Sequence, residues 1–75
     1  MPQLEARLLG PDYGAQFSRE ELSYVRVEPV GDAYVFYCNK CHWNVMKREQ
    51  APVLKWDVAR DGAREVIEHY KGAHG

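Results

Sequence analysis

The clearest pattern in the chain lies toward its C-terminal end. At about 100° per residue, Val58, Ala59, Gly62, Ala63, Val66, Ile67, His69 and Tyr70 fall on one half of a helical wheel. Arg60, Asp61, Arg64, Glu65, Glu68 and Lys71 fall on the other half. That separation predicts an amphipathic helix, with Asp57 or Asp61 as its cap. Gly72 reads as its stop, which puts His74 just past the helix end. Upstream, Tyr24-Val25-Arg26-Val27-Glu28 alternates with period two, and Pro29 is expected to end that strand. Gly31-Asp32 then reads as a two-residue turn into the β-rich run Ala33 to Cys38, completing a hairpin. Phe36 and Cys38 share a face of its second strand, so the thiol points the same way as a large core aromatic. If the chain continues as a strand after Cys41, Trp43 and Val45 lie on the thiol's side, and Trp43 reads as a core residue.

The remaining segments are less regular. Ser18 with Glu21 forms a capping box and Phe17 with Leu22 stands at staple spacing, which predicts a helical turn over 19–23. Residues 1–16 carry turn chemistry at Gly10-Pro11-Asp12 and no period, so they read as an arm. Residues 47–56, with Pro52, read as an extended loop whose Val53, Leu54 and Trp56 cap the core. The expected organisation is an N-terminal arm with a helical turn over 1–23, then a domain over 24–75. The expected fold is α+β, with a hairpin or short antiparallel sheet and one C-terminal helix.

Length changes this picture. Seventy-five residues form one small domain whose core alone gives a thin stability margin, so an additional staple is expected. The two cysteines are only three positions apart, and a disulfide between them would constrain the unfolded chain very little. Reduced thiols, metal and an intracellular setting fit better. The N-terminus shows no basic signal region, and the longest apolar run is far too short for a membrane span, so a soluble, cytoplasmic chain is expected.

Two pairs of metal-ligating residues stand out. Cys38 and Cys41 form Cys-x2-Cys in a turn, and His69 and His74 form His-x4-His at a helix end. Zinc takes four ligands in a tetrahedron, and each pair alone would leave it half coordinated. In Phe36-Tyr37-Cys38-Asn39-Lys40-Cys41, Val45 and Val66-Ile67-Glu68-His69, with His74 last, the chain resembles the two-Cys, two-His zinc-finger family. The resemblance covers residues 36–74 and implies one structural zinc held by a hairpin and a helix. The departure is the interval of 27 residues between Cys41 and His69, against about 12–15 in the common pattern. The excess falls in residues 46–60, which read as an inserted loop, so no recognition role for helix residues carries over.

Other readings compete. Cys38-Asn39-Lys40-Cys41-His42 satisfies CxxCH, the haem-attachment motif of c-type cytochromes, but it ends a β-rich strand in a chain with little apolar bulk. A redox role for the CxxC lacks the βαβ context. The bland reading leaves free thiols and unligated histidines, and His42 stands as an alternative fourth ligand to His74. A site closed by four protein ligands offers no open position for substrate or activated water, and neither a nucleophile–base pair nor a phosphate loop is visible. The expectation is therefore a non-enzymatic module without a small-molecule substrate.

Charge bears on the partner. Ten basic and eleven acidic residues give a net charge of −1, and the cations gather in the second half. Lys40, His42, Trp43, Lys47 and Arg48, with Lys55, Arg60, Arg64 and Lys71, form the candidate nucleic-acid surface, for DNA, RNA or a nucleoprotein. This is the narrowly preferred reading. The alternative is protein–protein interaction or a regulatory adaptor, which suits the near-neutral charge and the mixed-sign helix face.

Overall fold

The computed structural model describes residues 6–10, 13–48 and 55–74, apart from the side chains of residues 6, 7 and 13. Two short 3-10 turns, Ala6–Leu9 and Tyr13–Ala15, lead to a one-turn helix α1 (Arg19–Leu22). Three strands follow, β1 (Val25–Val30), β2 (Ala33–Cys38) and β3 (Asn44–Arg48), and then a long helix α2 (Trp56–His74). The strands form one antiparallel sheet in the order β1-β2-β3, so the fold is a three-stranded sheet plus a C-terminal helix. Among the described residues no helix is long and apolar enough to cross a membrane.

Local chemistry accounts for each element. The Ser18 hydroxyl accepts from the Glu21 backbone N–H at 3.0 Å, while a Glu21 carboxylate oxygen accepts from the Ser18 N–H at 2.9 Å. The other Glu21 oxygen receives Lys71 of α2 at 2.5 Å, so the small helix is tied to the large one. The Lys71 ammonium and then the Ser18 backbone bond hold the Glu21 carboxyl below its ordinary value of 4.5. Between β1 and β2, Gly31 has φ of +62° at the first position of the two-residue turn, a conformation that a hairpin loop requires and glycine adopts freely.

Pro29 does not end β1. The strand runs on to Val30, with Pro29 opposite Tyr34, because β1 is an outer strand and a missing N–H costs little at an edge. A strand does follow Cys41, and it runs two residues into the stretch expected to be loop over 47–56, so that Lys47 and Arg48 belong to β3. Within that expected loop, Val53 and Leu54 lie outside the described residues, while Trp56 opens α2 and is 54% exposed, so it does not cap the core. Gly72 does not stop α2 either: its backbone stays helical and the helix includes His74. A glycine ends a helix only when the chain turns into the left-handed region there, and Gly72 does not.

The core lies between one face of the sheet and α2. Val25, Val27, Phe36 and Cys38 meet Ala59, Ala63, Val66 and Ile67, and Leu9, Phe17 and Leu22 from the N-terminal segment complete the cluster. The N-terminal arm is thus anchored by a fully buried leucine. Full burial of Phe36, Leu9, Val25 and Val66 contributes about 1.5–3 kcal/mol each. On the opposite face Val35 is buried between Glu28 and Met46 of the flanking strands, and Val30 and Met46 remain exposed.

The helix approaches the sheet most closely at Gly62, where an added Cβ would stand 2.5 Å from the Phe36 ring. Gly62→Ala therefore sets a helix-propensity gain of about 1 kcal/mol against overpacking. Because both partners are buried in the core, overpacking wins, and urea denaturation should show a net loss of roughly 1–2 kcal/mol. Unchanged or increased stability would show that the helix can move away from Phe36.

Candidate metal centre

Cys38 closes β2 on its core-facing side, and the segment that follows is a tight knuckle held by backbone and side-chain bonds. The Cys38 N–H donates to the Trp43 carbonyl at 2.9 Å, the Asn39 N–H to the Tyr24 carbonyl at 3.0 Å, and the Asn39 side-chain amide to the Ser23 carbonyl at 2.5 Å. These bonds fix the knuckle against both the start of β1 and the start of β3. Cys38 is buried, Cys41 is half-buried, and neither is in a disulfide.

The second half of α2 delivers the histidines. His69 leaves the buried edge of the helix, and its Nε2 lies 3.2 Å from Cys41 Sγ. His74, in the last turn, stands edge-on to His69 with ring centroids 5.6 Å apart. One ligand atom from each of Cys38, Cys41, His69 and His74 lies within 4.8 Å of all the others. In a tetrahedral zinc site with ordinary bond lengths the ligand atoms stand about 3.3–3.8 Å apart, so this set brackets the required spacing. Two sulfurs and two imidazole nitrogens could bind one zinc ion, the pair of thiolates balancing its charge. With Nε2 turned to the cluster, the proton of His69 would reside on Nδ1.

Aromatic rings brace the cluster on both sides. Trp43 lies flat on His69, at 4.4 Å between centroids and 6° between planes. On the other side Tyr70 stacks on Tyr24 at 3.7 Å and 6°, and leans on His74 at 5.3 Å. Trp43 was expected in the core; instead it is 38% exposed and its partner is a candidate ligand. The Tyr24–Tyr70 support went unread in the sequence, although Tyr70 stands one helical turn before His74, the spacing at which helix side chains touch.

The other candidate residues are dispersed. Lys47 pairs with Glu65 at 2.5 Å on the core side of β3, whereas Arg48, the next residue, pairs with Asp32 at 3.6 Å on the far side. Arg64 bonds Asp61 and Gln16, Arg60 Nε donates to the Leu9 carbonyl, and Lys71 is held by Glu21. Lys40 sits 5.7 Å over the Tyr70 ring. His42 is exposed and does not belong to the four-residue cluster, and Lys55 is exposed just ahead of α2.

Compared with known proteins, the chain matches no family model, no curated protein and no solved structure. The likeness to a two-Cys, two-His site therefore rests on the cluster itself. Cobalt(II) titration should give the visible bands of one tetrahedral, thiolate-ligated ion per chain. His74→Ala should weaken that binding by more than about tenfold, a ligand counting for at least as much as the groups that orient it. His42→Ala should leave it unchanged, and the reverse pattern would make His42 the fourth ligand.

Proposed function

We propose that the chain is a non-enzymatic, zinc-organised module that binds a protein partner. The observation carrying the metal is the convergence of four soft and borderline donors from two chain segments, which suits a closed structural zinc site. Such a site exposes no coordination position for a substrate or an activated water, which supports a structural and not a catalytic role. The thiols face two histidines within ligand distance, which supports zinc over haem attachment or dithiol exchange.

The ion pairs favour a protein partner over nucleic acid. Lys47, Arg48, Arg64 and Lys71 each have an internal carboxylate, and adjacent cations of β3 lie on opposite faces of the sheet. Phosphate binding draws on contiguous, uncompensated cations, whose neutralised phosphates set both the affinity and its salt dependence. The mixed-sign surface with exposed Trp43 and Met46 suits a protein interface, where aromatic residues and Met are enriched.

The test is fluorescence anisotropy with labelled single-stranded RNA and duplex DNA across a range of salt. The expected result is weak, non-specific association, with Kd no tighter than about 10⁻⁶ M at physiological salt. Tight binding that falls steeply with salt and is weakened by Lys47→Glu and Arg48→Glu would overturn the protein-partner reading in favour of nucleic acid.

A further inference from the structure

Beside the metal cluster lies an open groove of about 350 Å³, lined by Trp43, Glu65, Glu68 and His69. One face of the Trp43 indole rests on His69, yet the residue is 38% exposed, so part of the ring stays open to solvent where it lines the groove. Two carboxylates flank it. Glu65 is bound by Lys47, whereas Glu68 is exposed and has no ion-pair or hydrogen-bond partner among the described residues. A zinc ion with two thiolates and two neutral imidazoles adds no net charge. The groove therefore keeps one uncompensated negative charge beside an exposed indole.

We propose that this groove receives an arginine side chain of the protein partner. The proposal rests on the reading of the chain as a zinc-organised protein-binding module. Guanidinium is the cation that matches both walls: its plane stacks on an indole, and its parallel N–H groups fork onto a carboxylate such as Glu68. Lysine would satisfy the charge without the stacking, and a phosphate would be repelled by the uncompensated Glu68 carboxylate. A bound zinc would shape the groove indirectly, because ligation of His69 would fix the ring on which Trp43 lies. An arginine seated there would also cover the exposed indole, in the manner of an aromatic–arginine anchor at an interface.

The probe is a capped Gly-Arg-Gly peptide, added to the zinc-loaded full chain while the two indole N–H resonances are followed by NMR and assigned with Trp56→Phe. The expected result is a saturable shift of Trp43 and none of Trp56. The same peptide carrying citrulline, the neutral isostere of arginine, should move neither. Glu68→Gln, at an exposed position outside the core, should weaken the response about fivefold, as expected for loss of one exposed charge pair. The proposal is overturned by a Trp43 resonance unmoved at about 10 mM peptide, where even a weak fragment-sized contact would register. It is equally overturned by an equal response to citrulline, or by full binding in Glu68→Gln. A zinc-loaded, folded chain that ignores the peptide removes the groove alone. A salt-sensitive shift of Trp43 by oligouridylate removes the groove and the protein-partner reading together.

Discussion

Cys41 Sγ and His69 Nε2 lie 3.2 Å apart although 28 positions separate them in the chain. Through this contact the turn between β2 and β3 meets the second half of α2, and both sides present groups that favour the same ion. A small sheet with one helix across it has only one face on which to build a core. Its stability margin is correspondingly small. A metal that binds only the folded arrangement adds its binding free energy to folding, and here it would link the end of the sheet to the end of the helix. The rest of the fold serves that meeting. Gly62 lets α2 lie close on Phe36, the Asn39 bonds hold the knuckle to β1, and the Tyr24–Tyr70 stack steadies the last turns of the helix.

Features governed by local periodicity were legible in the sequence. The apolar stripe of α2 is the buried stripe, the capping box closes as the Ser18 and Glu21 spacing required, and Gly31-Asp32 makes the two-residue turn. The clustering of Cys38, Cys41, His69 and His74 was readable for a related reason, since each pair is a short-range motif and one zinc ion would need both. What escaped was decided by tertiary context. Pro29 is tolerated because β1 became an edge, which no single strand can announce. Gly72 remains helical because a stop signal acts only where the following backbone turns, and His74 stays in the last turn. Trp43 left the core because the His69 ring offered its face, a contact between segments far apart in the chain.

The cations illustrate the limit of reading charge from sequence. Counted along the chain, the second half is mildly basic and suggests a phosphate-binding surface. Folding pairs Lys47 with Glu65 and Arg48 with Asp32 on opposite faces of one strand, so neighbours in sequence do not add into one field. Beside the cluster, the exposed indole and Glu68, whose carboxylate has no partner among the described residues, line a small open groove. On the proposed reading a zinc ion at the cluster would connect His69, Trp43 and the groove, and its loss would loosen the groove as well as the fold.

The most direct measurement is the zinc content of the purified chain, taken together with far-ultraviolet circular dichroism before and after a strong chelator. One zinc per chain, loss of the helical signal on chelation and its recovery when zinc is restored is the result this account requires. A chain that holds no metal yet keeps its helix, or one whose spectrum the chelator leaves unchanged, would contradict it.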